Sequence, residues 1–288
     1  MRSSKNGQTK PLCEVWEAFQ EQKLGHLAIK TQQNYTGAAK LIPAGKKPAR
    51  DYEPQDIARL LKDLRPGAYM VARGFFSSLF SFAIRQGWAT VNPVRGVETR
   101  KLGHVARWSR EEALSGIKAV KDEEVSLALD TMYASGQRLS DVLLAAPYNL
   151  NNGRLVLKQK KTGNVVDIPL PENITKRLLA LDRQPCEPFF RVNNKKVWRV
   201  WRGVRKELGM NNRKPHGLRK AASCEAAEGG ASEAELQAFL GHKTSKAAAL
   251  YRMEANKGIL AGAAVSKRAQ QHAGSPQAQG QQNEGAES

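Results

Sequence analysis

Cysteine is scarce in this chain. Cys13, Cys186 and Cys224 stand far apart, with no CxxC pair. An odd, scattered set supports neither a disulfide framework nor a thiolate zinc site; it suits a reducing compartment, with the side chains acting as small apolar fillers. Clustered metal ligands are missing as well: there is no HExxH, no DxD-type carboxylate pair and no Cys/His ligand spacing. No uninterrupted apolar run comes near the roughly 18 residues of a membrane span. The opening MRSSKNGQTK lacks the apolar core of an export signal. The chain therefore reads as cytoplasmic and not membrane-bound. Acidic residues are also in deficit, 27 against 46 Lys plus Arg, a formal net charge of +19. Such a balance excludes few folds but favours a polyanionic partner, nucleic acid first.

What is present is mostly helical period. Residues 1–10 read as a basic arm. Leu12, Val15, Trp16 and Phe19 form an i, i+3, i+4, i+7 stripe. Further helices are expected over 29–41, through Ile57, Leu60, Leu61 and Leu64, and along FFSSLFSFAIRQG, so that 11–87 makes a small helical domain. WATVNPVRGVETRKLGH, residues 88–104, has no helical period and reads as an interdomain linker. A second domain, 105–265, opens on the capping box Ser109-Arg110-Glu111-Glu112. Its period changes once, at Leu155 to Lys160 and Val165 to Pro169, the only convincing hairpin. Helices return at 174–181, 197–208 and from His216, with a second capping box at Ser232 and Glu235. Trp198 and Trp201, at helical spacing, are expected in the core. Tyr35, Tyr69, Tyr133 and Tyr148 are expected as packed residues with satisfied hydroxyls. Residues 266–288, rich in Gln, Gly, Ala and Ser, are expected to be disordered. With some ten residues before the first helix, a separate arm-binding domain is not expected.

Basic groups of the second domain occur where packing does not ask for them. Arg138 follows a Ser-Gly break in SGQRLSDVLLA. Lys161 sits in QKKTG at the hairpin tip, with Lys158 and Lys160 as competitors. His216 and Arg219 stand three apart in PHGLR. His242 follows the helix-stopping Gly241, and Tyr251 comes nine residues later. Together these are parts for metal-free phosphoryl transfer. Two guanidinium groups can grip the non-bridging oxygens of a phosphate and stabilise its transition state. A tyrosine can attack phosphorus. Histidine can manage protons near neutral pH, and a lysine can protonate a departing 5′ oxygen.

The same four segments resemble the tyrosine recombinase, or phage-type integrase, family. SGQRLSDVLLA resembles its TGxRxSExxxL helix, with Asp141 in the acidic position. QKKTGNVVDIPL resembles its xKTxxxxxIPL hairpin, HGLRKAAS its HxLRxTxA motif, and LGHKTSKAAALY its LGHxxxxxTxxY motif. KTQQNYTGAAKL and FFSSLFSFAIRQGWATVNP are similar to its core-binding domain and Asn-Pro linker. The resemblance covers roughly residues 10–265. It implies a two-domain, mainly α fold with a small β-hairpin or sheet in the catalytic domain (α+β).

By that resemblance, Arg138 and Arg219 activate the phosphate, Lys161 is the general acid and His216 the general base or proton manager. His242 donates a hydrogen bond to the transition state, and Tyr251 becomes a 3′-phosphotyrosine. No cofactor or metal is implied. The expected partner is double-stranded DNA carrying specific recombination sites, held by a homotetramer on synapsed DNA. Accessory directionality or DNA-bending proteins are further candidates. The expected activity is integration and excision of a phage or other mobile element, with dimer resolution as an alternative within the family. The rivals outside it are a non-catalytic architectural DNA-binding protein and type IB topoisomerase-like relaxation. Lys46, Lys47, Arg50, Arg95, Arg100 and Lys101 are expected to track the DNA backbone. Residues after Tyr251, with Ile259 and Leu260, are expected to pack on a neighbouring protomer.

Overall fold

A computed structural model of the chain describes residues 9–100, 103, 106–242 and, further on, 258, 259, 261, 262, 264–266 and 268. The chain divides into two compact units, Met1–His104 and Val105–Ser288.

Among its described residues the first unit contains the α-helices α1 (Leu12–Gln22), α2 (Ile29–Ala39), α3 (Pro54–Leu61) and α4 (Pro66–Arg85). α4 is long and apolar enough to cross a bilayer by length and composition. Its Phe75, Phe76, Leu79, Phe80 and Phe82 are instead fully buried among the neighbouring helices. The aromatic rings meet edge-on: Trp16 lies 5.2 Å from Phe75, and Phe19 lies 5.4 Å from Phe82. Each buried ring removes enough apolar surface from water to contribute about 1.5–3 kcal/mol. Tyr35 bonds Ser78 across 3.0 Å, as expected of a packed tyrosine.

The stretch expected as a linker differs from that expectation as far as Arg100. Ala89, Val94 and Val97 are buried in the first unit's core. Arg73 donates to the carbonyls of Val94 and Val97, Tyr69 donates to that of Glu98, and Arg100 donates to those of Leu64 and Lys62. A segment without a period of its own is thus held by side chains from elsewhere, which sequence pattern cannot register.

The second unit runs α5 (Arg110–Lys118), α6 (Glu123–Ser135), α7 (Leu139–Val142), β1 (Leu150–Asn151), β2 (Arg154–Lys158), β3 (Val165–Pro169), α8 (Glu172–Leu179), α9 (Asn194–Glu207), α10 (His216–Glu228) and α11 (Glu233–Leu240). Both expected capping boxes are formed, at Ser109 with Glu112 and at Ser232 with Glu235. α6 is the hub, in contact with α5, α7, α8, α9 and α10. The antiparallel sheet has the order β1-β2-β3. Leu155 pairs with Ile168 and Leu157 with Val166, and all four point inward. β1 adds a second hairpin to the one expected. Its two-residue turn is Asn152-Gly153, both at positive φ (48° and 72°), the conformation that matches strand twist.

Trp201 is fully buried and stacks on Trp108 at 4.6 Å, whereas Trp198 is 37% exposed, a correction to its expected core place. α9 turns one indole inward and the other out because its apolar stripe is narrow. Tyr133 donates to Glu225 at 2.6 Å, but Tyr148 is exposed. Cys224 is buried and Cys186 exposed, so only some of the cysteines are fillers.

Candidate active site

The site is built where two helices stop. α6 ends at Gly136 (φ 64°) and α11 at Gly241 (φ 63°), both left-handed. A helix end leaves carbonyls without intrahelical partners and carries partial negative charge. Between the two ends lies the guanidinium of Arg219, 1% exposed. Nη1 donates to the Gly136 carbonyl at 2.7 Å, and Nη2 donates to the Leu240 carbonyl at 2.9 Å. Nη2 also lies 3.1 Å from Nε2 of His242. Burying a charge is costly unless it is solvated by protein dipoles. Here the dipoles are carbonyls, so the cradle holds the cation without spending its charge on these partners.

His216 and Arg219 share the first turn of α10. The loop that feeds this helix is held by the stacked indoles. Trp108 Nε1 donates to the Lys214 carbonyl (3.0 Å) and Trp201 Nε1 to that of Arg213 (2.8 Å). Gly217 makes this possible, since a Cβ there would lie 2.3 Å from Trp108 Nε1 and 2.8 Å from the Ala106 carbonyl.

Arg138 precedes α7 as its N-cap residue, in extended conformation. Its Nη1 donates to Gln159 Oε1 at 3.0 Å and lies 3.6 Å from Asp141 Oδ2. Asp141 is 3% exposed, and its other oxygen accepts from the Lys160 amide at 3.1 Å. The acid therefore links Arg138 to the hairpin loop.

Lys161 is exposed in that loop, which is closed by the Gln159 amide on the Asn164 carbonyl and the Gly163 amide on the Gln159 carbonyl, both 2.8 Å. Both imidazoles are held below the ordinary histidine value. For His216 the causes are partial burial first, then the charges of Arg219, Arg138, Lys161 and Lys220. The charge of Lys161 is among those that bear most on His216. His242 is pushed down to about 4, by burial first and then by Arg219 and Arg138. It is neutral at pH 7. Because Arg219 can only donate, Nε2 accepts in this arrangement and the proton sits on Nδ1.

Arg138, Lys161, His216, Arg219 and His242 thus share one electrostatic neighbourhood. Tyr251 lies outside the described residues, as do Lys101, most of 1–10 and nearly all of 266–288. The described residues from 258 to 268 are helical and exposed, Ile259 among them. Beside Arg138 and His216 opens a cavity of about 210 Å³, walled by Met132, Leu139, Trp198 and Pro215.

Of the expected DNA contacts, Lys46 and Arg95 are exposed. Lys47 is paired with Asp56 at 2.6 Å, and Arg50 lies 3.6 Å from Asp51. Arg100 is stacked on Tyr69 at 4.0 Å as well as bonded to backbone. Among the described residues no group of three or more His, Cys, Asp or Glu side chains could hold a metal ion.

Two residues at the base of the site, Gln137 and Gln159, were not among the expected site residues, although Gln137 stands where the resembled family has an apolar residue; both are fully buried. A signal existed for the second. Leu155, Leu157 and Gln159 share one strand parity, so a glutamine was being sent to the inner face.

The family model described as the phage integrase family matches residues 110–257. An integrase of Enterobacteria phage 434 is 30% identical over 151 residues, covering 49% of this chain and 42% of its own. Tyrosine recombinase XerC of Corynebacterium glutamicum is 25% identical over 148 residues, covering 47% and 48%. This chain spans about half the length of these curated relatives. A dimer of lambda integrase, residues 75–356, bound to a COC′ core site superposes with a TM-score of 0.71 at 22% identity. It covers 84% of this chain and 94% of that one. Lambda integrase as a tetramer bound to a Holliday junction gives 0.68 at 23%, covering 84% and 80%. These structures share the mainly helical fold with its small sheet.

Proposed function

Because the chain belongs to the phage integrase family, we propose that it is a site-specific DNA recombinase that cuts and rejoins strands through a 3′-phosphotyrosine at Tyr251. The observation that carries this reading is the convergence on one patch of Arg138 before α7, His216 and Arg219 on α10, and His242 after α11, with Arg219 donating to two backbone carbonyls and Arg138 to the Gln159 amide oxygen.

A scissile phosphate docked there receives N–H donors from both arginines, which stabilise the added charge of the pentavalent transition state. The Tyr251 phenolic oxygen forms the new bond to phosphorus while the bond from phosphorus to the 5′ oxygen breaks. The phenolic proton passes to His216, whose lowered pKa keeps it neutral and receptive. Lys161 supplies a proton to the departing 5′ oxygen. The phosphate draws Arg219 Nη2 away from His242, whose neutral ring is then able to donate to a phosphate oxygen from Nε2 after tautomer exchange. The reverse sequence, with another 5′ hydroxyl attacking the phosphotyrosine, rejoins the strand and restores the enzyme. Bond energy is retained in the ester, so the steps need neither nucleotide hydrolysis nor metal.

The substrate is double-stranded DNA at the ends of a mobile element. Exchange between two duplexes requires two cleavages on each, hence a homotetramer, with accessory directionality or DNA-bending proteins as further partners. The first unit serves as a second DNA-binding body, with Lys46 and Arg95 free to meet backbone phosphates.

The test is covalent trapping in EDTA. Wild type and Tyr251→Phe are incubated with DNA spanning the element's boundaries and quenched in detergent. A metal-independent protein–DNA adduct lost in the variant is expected. Salt-sensitive binding with no adduct from the wild type would overturn the catalytic reading in favour of an architectural protein.

A further inference from the structure

We propose that Gln159 is a positioning residue for phosphate activation: with Gln137, it holds Arg138 and the anchor of Arg219 in one frame. The proposal rests on the recombinase reading above.

The Gln159 side chain is fully buried, and its full bonding capacity is used. Oε1 accepts from Arg138 Nη1 at 3.0 Å and from Thr162 Oγ1 at 2.7 Å. Nε2 donates to Gln137 Oε1 at 2.7 Å and to the Leu240 carbonyl at 2.8 Å. That same Leu240 carbonyl accepts from Arg219. One amide therefore touches the first arginine, the carbonyl that holds the second, and the neighbour of Lys161. Its orientation is unambiguous. Turning it over would set N–H groups against the donors of Arg138 and oxygen against two acceptors.

Gln137 carries the frame one layer further. It is fully buried too, and its Nε2 donates to the carbonyls of Phe239 at 2.7 Å and Ser135 at 3.2 Å. The two amides thereby fasten the end of α6 to the end of α11, the two helix ends between which Arg219 sits.

Packing does not account for a glutamine here. Leu155 and Leu157 fill the inward positions of β2, which ends one residue before Gln159, and a residue of similar volume without polar atoms would continue the row. The surrounding backbone is shaped to admit the amide. At Gly241 a Cβ would stand 2.6 Å from Gln159 Nε2, so the left-handed glycine that ends α11 also makes room for the Gln159–Leu240 bond.

The frame acts on charge placement, so its effect depends on the charge of the phosphate. In the full chain, Gln159→Met keeps volume and removes all four bonds. We expect its single-turnover rate of adduct formation, at saturating DNA, to fall about 10- to 100-fold, the usual cost of losing an outer partner of a reactive group. DNA affinity should stay near wild type, while the melting temperature falls modestly, because Gln137 Oε1 loses its buried donor. Gln137→Met should fall in the same direction by less, and the double variant should be no slower than Gln159→Met by more than about threefold.

The deciding substrate replaces one non-bridging oxygen of the scissile phosphate by methyl, which leaves the phosphorus centre neutral. With less charge for the arginines to stabilise, the ratio of wild-type to Gln159→Met rates should shrink to within about threefold. A wild-type rate for Gln159→Met on ordinary DNA would overturn the proposal. An equal penalty on both substrates would overturn it as well, by assigning Gln159 a purely architectural place. If Gln159→Met melts early, Gln137→Met on the two substrates gives the same decision. Absence of any adduct from the wild type would instead remove the recombinase reading itself, and this proposal with it.

Discussion

The two units spend their buried residues differently. In the first, the interior is a set of interlocking rings, and polar groups such as Arg73 and Tyr69 tie irregular chain to that interior. In the second, an apolar core exists, but the floor of the site is polar: two glutamines, an arginine and the carbonyls of two helix ends. Rings tolerate small displacements, because dispersion and burial are non-directional. Hydrogen bonds at 2.7–3.0 Å do not. The first arrangement favours stability and the second favours placement, so the two should fail in different ways.

The largest expected loss is in the aromatic interior. Phe75→Ala removes a fully buried ring that meets Trp16 and Tyr35 and should destabilise the first unit by about 3–5 kcal/mol, read as an earlier unfolding transition in a urea titration. Arg219→Lys should show the opposite pattern. A lysine cannot fork between the Gly136 and Leu240 carbonyls, so adduct formation should slow by about 10²- to 10³-fold while DNA binding persists. If Arg219→Lys instead lost DNA binding and kept the rate of chemistry, the contrast between placement and stability would collapse.

Gly241→Ala sharpens the comparison, since it forces a side chain into a left-handed residue and against Gln159 and Val166 at 2.6 Å. It should cost about 1–3 kcal/mol in the second unit and reduce adduct formation together with stability.

A smaller effect concerns protons. His242 is held down to about 4 from an ordinary 6.5, so below 6.5 the unfolded chain binds a proton that the folded chain refuses. The stability of the second unit should therefore decline as pH falls from about 6.5 towards 4. Urea midpoints measured across that range should fall less steeply in His242→Gln. Smallest of all, Lys46→Ala should weaken binding to all DNA sequences alike and flatten the dependence of log affinity on log salt by about 0.9. Arg100→Ala should leave that slope unchanged and lower the first unit's stability, because its guanidinium is committed to Tyr69 and two carbonyls.

These contrasts also explain what was legible in the sequence. The helices announce themselves through apolar period, and both capping boxes through Ser-x-x-Glu. The basic and imidazole groups of the site could be found because each sits beside a local break, at Gly136, Gly163, Pro215 or Gly241. The Asn152-Gly153 turn was legible in principle but masked by a first strand of only two residues. Less accessible were matters decided by distant partners. Nothing near Arg100 announces Tyr69, and nothing near Val94 announces Arg73. Trp198 and Trp201 look alike until α9 is seen to bury one and expose the other. The glutamine frame belongs to the same class: Gln137 and Gln159 lie 22 residues apart, and their meaning resides in a carbonyl at position 240.

The cradle around Arg219 also has a consequence in time. Its contacts join residues 83 positions apart, and the amide frame beneath it spans 102 and 81. Long loops close late in folding, because their entropy is lost before their contacts form. A chain emerging from the ribosome can therefore complete its aromatic first unit while the arginine pair has yet to be assembled. The pocket that holds Arg219 is complete only once α11 has docked, because the Leu240 carbonyl that accepts from it belongs to that helix.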